Sequence, residues 1–172
     1  MTSGTLCRAW AMRETGYMEQ NKKLSVNHIP KDQQRSPDYQ LVIPSLLEKL
    51  SEVEEITEKV TLQHEIPDDD RDNLAIAITE LTNNAIMHGN KFDFEKKVTI
   101  SFYFDNNEVC VYIKDQGKGF DPTAIGNPLD PENLLKESGR GIFILKSIMD
   151  DVQFQVSDQG TEVKIIKKIE HS

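Results

Sequence analysis

The sequence predicts an α/β sandwich (an α+β fold) in which a mixed, mostly antiparallel sheet packs on helices. Apolar residues recur with helical spacing in 46–60 and 74–85, and they alternate with polar residues in 98–113 and 152–165. The order of segments is strand, two helices, hairpin, long loop, helix and hairpin, which is typical of helices layered on one sheet. The length of 172 residues fits one ordinary domain.

The first half of the chain is predicted to be one short strand and two helices. A β-type run, 39–43, is halted by Pro44, and Ser45 is predicted to be the N-cap of the first helix. Pro67 and the four aspartates that follow it favour the start of the second helix, because negative charge stabilises a helix N-terminus. Gly89 is predicted to end this helix. The predicted inward faces are Leu46, Leu47, Leu50, Val53, Ile56 and Val60, then Leu74, Ile78, Leu81 and Ala85.

The second half is predicted to be two hairpins separated by a loop and a helix. Residues 98–104 and 109–113 alternate on either side of a turn, which is typical of an antiparallel hairpin. The stretch 115–138 is rich in proline and glycine, and so long a loop in a small domain is usually functional or disordered. A helix is predicted at 139–149, followed by a last hairpin within 152–165.

Charge is distributed unevenly along the chain. Residues 1–38 carry six Lys/Arg and four Asp/Glu, whereas residues 39–172 carry a net charge of −11. Such an acidic domain argues against binding nucleic acid or an anionic membrane. It leaves room for a basic protein partner, or for a ligand that brings a cation, such as a nucleotide with magnesium.

Two domain-level expectations follow from the composition. Residues 1–38 show no sustained periodicity and are predicted to be a mobile tail in front of a domain at 39–172, unless Met12 or Met18 is the true start. Cys7 and Cys110 are the two cysteines, so neither a disulfide framework nor a CxxC metal site is expected. With no apolar segment long enough for export or a membrane span, we expect a cytoplasmic protein.

Polar residues interrupt the apolar pattern of the second helix. Glu80, Asn84 and His88 are spaced by four and therefore share one helix face. A carboxylate can accept a proton and an amide oxygen can ligate magnesium, so this face could handle phosphate. Judged alone, the three residues more often form an ordinary solvated face.

A glycine motif directly follows the strand that ends at Ile113. Gly117 and Gly119 would let the backbone approach a flat ring closely, because neither has a Cβ atom. Asp115 could accept a hydrogen bond from the exocyclic amine of adenine. The motif is equally compatible with an ordinary turn.

Two further glycine motifs follow. Gly139, Arg140 and Gly141 open the predicted last helix, where free N–H groups and the positive end of the helix dipole bind phosphate. The alternative interpretation of these residues is a glycine-rich hinge that closes the preceding loop. Gly160 and Thr161 lie at the last hairpin turn, and an ordinary β-turn followed by a strand is enough to explain both residues.

These motifs, in this order, resemble the GHKL (Bergerat-fold) ATPase and kinase family. Residues 80–84 correspond to its N-box, 115–119 to its first glycine box and 139–141 to its second, and the similarity covers about 39–169. Within the family, the segments ELTNNAIMHG and SGRGIFILKSIMD are most similar to the anti-sigma factor serine/threonine-protein kinases.

The resemblance implies an ATP-dependent protein kinase that uses magnesium. Glu80 would be the catalytic base toward a serine hydroxyl, and Asn84 would hold magnesium. Asp115 would bind the adenine amine, with Thr161 supporting it through water. Residues 120–138 would form a lid over ATP. The other implied ATP-binding residues are His88, Gly117, Gly119, Gly139, Arg140 and Gly141.

The resemblance also implies partners and leaves an alternative. The relatives bind a sigma factor or phosphorylate a STAS-type anti-anti-sigma protein, and they are commonly homodimers. Unlike sensor histidine kinases, this chain places none of His28, His64 and His171 on a two-helix hairpin, so autophosphorylation is not expected. The alternative is a nucleotide-gated module that sequesters a regulatory protein without transferring phosphate.

Overall fold

A single antiparallel sheet forms one layer of the computed structural model, which describes residues 35–118 and 137–170. Its strands lie in the order β1-β2-β3-β5-β4, and each of the four neighbouring pairs is antiparallel. The sandwich prediction is therefore confirmed, and the described strands include no parallel pair. The strands are β1 (Tyr39–Pro44), β2 (Lys97–Asp105), β3 (Glu108–Lys114), β4 (Asp151–Ser157) and β5 (Gly160–Lys168).

Three α-helices in the described part of the chain form the second layer. They are α1 (Leu50–Gln63), α2 (Asp68–Asn84) and α3 (Glu137–Ile148). A 3₁₀ turn, Leu47–Lys49, precedes α1, and a π-helical turn, Ala85–Gly89, continues α2. The helix α2 begins after Pro67 with three aspartates in its first turn, as its sequence predicts.

The core lies between the helices and one face of the sheet. Alternation along the strands points every second residue toward the helices, and most residues on that face are apolar. Complete burial of a Leu or Ile side chain contributes about 1.5–3 kcal/mol, so this layer supplies much of the driving force for folding. Among its fully buried residues are Ile100, Val111 and Ile165 from the sheet and Leu74, Ile78 and Leu145 from the helices.

Both hairpins have the predicted turns. The β2–β3 hairpin closes at the pair Asp105↔Glu108, and the β4–β5 hairpin closes at Ser157↔Gly160. Between β3 and β5, Ile113 pairs with Val163, which brings Asp115 alongside Thr161. The Asp115 N–H donates to the Thr161 carbonyl at 2.9 Å. This register brings together two residues that are 46 positions apart in sequence.

The start of the first helix differs from the prediction. Ser45 does not cap it, because α1 begins at Leu50 after the 3₁₀ turn. The Ser45 hydroxyl is buried and instead donates to the Lys96 carbonyl at 3.0 Å. The 3₁₀ turn also changes the phase of the apolar face, so Leu47, predicted to point inward, is 45% exposed.

Two other helix boundaries are also corrected. Gly89 is not a left-handed cap: the left-handed residues after α2 are Lys91 and Phe92, with φ of 54° and 60°. The helix α3 begins at Glu137, two residues before the predicted Gly139. The predicted tail up to residue 34, Gly119 and most of the predicted lid lie outside the described residues.

Candidate functional site

The polar face of α2 carries Glu80 and Asn84 at the predicted spacing. The Asn84 side-chain N–H donates to Glu80 Oε1 at 3.4 Å, a long and weak hydrogen bond. Because Asn84 donates through Nδ2, its amide oxygen is the atom left to accept a donor or to ligate a cation. The pair is half-buried and borders a cleft.

A π-helical turn continues α2 beyond Asn84. The Asn90 N–H donates to the Ala85 carbonyl at 2.8 Å, which is the five-residue spacing of a π-helix. His88 lies in this turn, is exposed, and lines the same cleft as Glu80 and Asn84. π-Turns of this kind are frequent at functional sites. The structure thus brings together the three polar residues predicted on this helix face.

Gly141 of α3 packs directly against Glu80. A Cβ atom at this position would collide with Glu80 Oε1, so glycine lets the carboxylate lie against α3 without moving aside. Gly139 and Arg140 precede it in the first turn of α3. The first four N–H groups of a helix have no partner within the helix, so the backbone here can donate to an anion.

The cleft beside these residues is large enough for a nucleotide. Its volume is about 1070 Å³, compared with roughly 300–1,000 Å³ for typical ligand pockets. It lies between α1, α2 and α3, and carboxylates of α1 line it together with Glu80. The lining includes Glu54, Glu55, Glu58, Ile76, Glu80, Asn84, Met87, His88, Gly141 and Ile144.

Asp115 forms a second cluster at the end of β3. Its side chain is 4% exposed, and its Oδ1 accepts hydrogen bonds from the Gly117 N–H at 2.8 Å and the Thr161 N–H at 3.0 Å. Hydrogen bonds to a charged acceptor are stronger than neutral ones, so this carboxylate is held in one orientation. Thr161 therefore contacts Asp115 directly, through its backbone.

Glycines surround Asp115 at van der Waals distance. A Cβ at Gly89 would collide with Asp115 Oδ2, one at Gly117 with the Gly89 carbonyl, and one at Gly160 with the Asp115 carbonyl. Gly160 also has φ of +131°, a conformation that other residues rarely adopt. Gly89, which follows His88, thus connects the π-turn to the Asp115 cluster.

One structural residue of the site was missed in the sequence. Asn90 is fully buried, and its Nδ2 donates to Ser45 Oγ at 2.8 Å and to the Lys97 carbonyl at 3.0 Å. Its Oδ1 accepts from the Gln116 N–H at 2.8 Å. This side chain thereby holds the glycine motif after β3 against the end of the π-turn. Two of its three partners, Ser45 and Gln116, lie 45 and 26 residues away in sequence, so no local pattern indicates them.

The donor set fits magnesium only when a nucleotide supplies further ligands. Among the described residues, no cluster of three or more His, Cys, Asp or Glu could hold a metal ion alone. Asn84 offers an amide oxygen beside a carboxylate, and oxygen ligands of this type are what magnesium prefers. Magnesium usually binds through one or two protein ligands together with substrate phosphates, which matches this sparse set.

The fold and the sequence together identify a GHKL-type ATPase domain. Residues 43–167 match the sequence profile described as "Histidine kinase-like ATPase domain", and the chain belongs to this family. The family's ligand is ATP, and the match includes every predicted site residue. No described helix is long and apolar enough to cross a membrane.

Among curated proteins, the chain is similar to bacterial regulators. It is 32% identical over 106 residues to "Serine-protein kinase RsbW" of Bacillus licheniformis, an alignment that covers 58% of this chain and 65% of that protein. It is 33% identical over 109 residues to "Anti-sigma F factor" of Bacillus subtilis, covering 60% of this chain and 73% of that protein. The chain thus spans less than two thirds of the length of the first relative and 73% of the length of the second.

A solved structure supports the fold. The crystal structure of the RsbU and RsbW domains of Rv1364c from Mycobacterium tuberculosis aligns with a TM-score of 0.58 at 12% identity. The alignment covers 76% of this chain and 31% of that one. At this identity the similarity concerns the fold alone.

Proposed function

We propose that the protein is an ATP-dependent serine/threonine kinase that acts as an anti-sigma factor in a partner-switching pathway. Its substrate in this proposal is a STAS-type anti-anti-sigma protein, phosphorylated on a serine or threonine hydroxyl. Membership of the ATPase family and the similarity to serine-protein kinases and an anti-sigma factor support the proposal.

The observation that carries the proposal is the contact between Glu80 and Gly141. It brings a carboxylate, which can accept a proton, against the first turns of a helix whose N–H groups can bind phosphate. A kinase requires these two functions side by side. Phosphoryl transfer depends mainly on positioning and charge stabilisation, so few side chains suffice.

The remaining residues would bind ATP. Asp115 would accept a hydrogen bond from the adenine amine, because its second oxygen accepts none of the described hydrogen bonds. Asn84 would hold magnesium, which neutralises phosphate charge when bound. His88, Gly117, Gly119, Gly139, Arg140 and Gly141 would complete the nucleotide site, with Thr161 orienting Asp115.

Partners and location belong to the same proposal. We place the kinase in the cytoplasm as a homodimer that binds a sigma factor in one state and the STAS-type protein in another. Its acidic domain, with a net charge of −11 over residues 39–172, favours protein partners with basic surfaces over nucleic acid or membranes.

A transfer assay with γ-labelled ATP, magnesium and a cognate STAS-type protein tests the function. We expect phosphoserine or phosphothreonine on the acceptor. Glu80→Ala should lower the transfer rate by about 10²–10⁴-fold, the usual contribution of general-base catalysis, and leave ATP affinity nearly unchanged. Glu95→Ala, at an exposed carboxylate in the loop before β2, is the matched control and should keep the parent rate.

The alternative function, a nucleotide-gated binding module, gives different results in the same assay. Such a module would bind its partner in an ATP-dependent way, but neither the parent nor Glu80→Ala would transfer phosphate. ATP-dependent partner binding without a phosphorylated acceptor would therefore refute the kinase proposal and favour the module.

A further inference from the structure

The cleft extends along α2 beyond the proposed nucleotide site. Glu80, Asn84 and His88 lie at intervals of four on one face of this helix. The same intervals lead back toward the start of the helix to Ile76 and Asp72, which also line the cleft but do not belong to the proposed ATP site. The step from Glu80 to Asp72 is two helical turns, about 12 Å long. We call this part of the cleft, between Asp72 and Glu80, the outer groove.

Carboxylates of α1 also line the outer groove. Because only residues 64–67 join α1 and α2, the two helices are antiparallel, and the later part of α1 lies beside the first part of α2. Glu54, Glu55 and Glu58 are exposed and line the cleft, and spacings of three and four put them on one face of α1. Like charges at these spacings repel one another, so a cation that binds here would stabilise this face of the helix.

The three glutamates have no ionic partner among the described residues. None of them occurs in a described ion pair, whereas Glu52 of the same helix pairs with Lys49 at 2.7 Å. Arg71 also lines the cleft, but its guanidinium pairs with Asp68 at 3.1 Å. No described group of three or more His, Cys, Asp or Glu could hold a metal ion. The outer groove therefore complements separate cationic groups, such as the Lys and Arg side chains of another protein.

Two exposed isoleucines line the same cleft. Ile76 is 52% exposed and lies one turn of α2 before Glu80, and Ile144 of α3 is 45% exposed. Exposed apolar side chains that share a cleft with a charged rim are typical of a surface that binds another protein. Together with the carboxylates, they indicate a groove for a segment that carries both basic and apolar side chains.

We propose that the outer groove binds the phosphate acceptor. Its occupant is a segment of the acceptor protein that presents Lys or Arg side chains to the carboxylates of the groove and an apolar side chain to Ile76. The inference rests on the proposed kinase function, because it places the acceptor hydroxyl at Glu80. Along α2, the apolar side chain then lies about 6 Å from that hydroxyl, and the most distant basic side chain about 12 Å. The outer groove thus selects the protein that receives the phosphate.

Steady-state kinetics with a STAS-type acceptor protein and magnesium–ATP separates docking from transfer. Changing Glu54, Glu55 and Glu58 together to glutamine removes the charges and keeps the side-chain size. We expect the KM for the acceptor to rise about tenfold, because each exposed ion pair contributes modestly, while kcat stays near the parent value. The KM of the parent should also rise with salt, and the KM of this triple variant should respond less.

A matched control removes the same number of charges elsewhere. Glu48→Gln, Glu95→Gln and Asp158→Asn together change exposed carboxylates that lie outside the cleft lining. This control chain should keep the parent KM for the acceptor and the parent response to salt. An equal rise of the KM in both triple variants would mean that only the net charge of the protein matters, which would contradict docking in the groove.

A second pair of variants tests the apolar contact. Ile76→Ser should raise the KM for the acceptor severalfold and leave kcat near the parent value. Leu62→Ser on α1 has nearly the same exposure, 48% against 52%, and lies outside the cleft lining, so it should leave this KM unchanged. Parent-like KM values for both Ile76→Ser and the glutamine triple variant would overturn the groove and leave the kinase proposal intact.

A binding measurement separates this inference from the kinase proposal. Titration calorimetry, with magnesium and an ATP analogue that carries a β,γ-imido bridge, compares the acceptor affinity of the parent and of the glutamine triple variant. Weaker binding by the triple variant supports docking in the groove even when the parent transfers no phosphate, and then only the kinase proposal is wrong. Equal affinities, or no binding to either chain, would refute docking in the groove whatever the transfer assay gives.

Discussion

At the scale of single residues, Asp115 combines a structural role with a proposed binding role. One oxygen accepts from the backbone N–H groups of Gly117 and Thr161, and the other faces Gly89. The carboxylate is oriented before any ligand arrives, so binding a ligand amine requires little further ordering. An aspartate at position 115 should therefore matter more for ligand affinity than for the stability of the fold.

Asp115→Asn tests this division. Asparagine keeps one oxygen for the two backbone donors but replaces the other with an NH₂ group, which cannot accept from adenine. We expect ATP affinity to fall by about 1.5–3 kcal/mol, roughly ten- to a hundredfold. Titration calorimetry measures the change, and Asp158→Asn, in the exposed β4–β5 turn, is the control. Parent-like ATP affinity would show that the adenine assignment is wrong.

At the scale of elements, hydrophobic periodicity predicted the strands and hairpins well. Burial on one face imposes a period of two, and a register slip would expose every inward residue, so the pattern in 98–104 is strongly constrained. The inward face of α2, Leu74 to Leu81, follows a helical period because it too is buried on one side. These features involve residues that are close together in sequence, so a sequence pattern can predict them.

Features that depend on distant contacts were not predictable in this way. Ser45 was expected to cap a helix, but its hydroxyl bonds to Lys96 and Asn90, which lie at least 45 residues away. The π-turn after Asn84 has no local signature either. The spacing of Glu80 and Asn84 could be predicted from the sequence, whereas the contact of Glu80 with Gly141 depends on how α3 packs and was not predicted. The family resemblance assigned both residues to one ATP site but implied no contact between them.

The contact between α2 and α3 gives a prediction of its own. In Gly141→Ala, the new methyl group would occupy the place of Glu80 Oε1, and the flexible end of Glu80 would move aside. Alanine favours a helix over glycine by about 1 kcal/mol, so the free energy of unfolding should stay within about 1 kcal/mol of the parent. Transfer should nevertheless fall by roughly tenfold to a hundredfold, because small misplacements of reacting groups are costly.

Two measurements separate these effects for Gly141→Ala. Urea denaturation reports the free energy of unfolding, and the γ-labelled ATP assay reports transfer. Ser147→Ala, on the exposed side of the same helix, should leave both unchanged. A stable Gly141→Ala protein with parent transfer rates would mean that the position of Glu80 against α3 is unimportant for the reaction.

At the scale of the whole molecule, the candidate site lies on the helical side of the sheet. The helical side carries the cleft with Glu80, Asn84 and Gly141, and the Asp115 cluster closes the end of the sheet beside it. A ligand that joins α2, α3 and the end of β3 should therefore stabilise the fold globally, because these elements share one core.

Magnesium–ATP should raise the melting temperature, and removing magnesium should reverse most of the gain. At a ligand concentration 100 times Kd, binding to the folded state contributes about 2.7 kcal/mol, which corresponds to a rise of roughly 5–10 °C for a domain of this size. Acidic residues border the cleft, so ATP with a chelator in place of magnesium should bind more weakly and give a clearly smaller rise. GTP with magnesium is the control for adenine recognition and should give little shift. Guanine carries a carbonyl oxygen at the ring position where adenine carries the amine that would donate to Asp115. Calorimetric scans compare the three conditions, and equal shifts with and without magnesium would contradict the role assigned to Asn84.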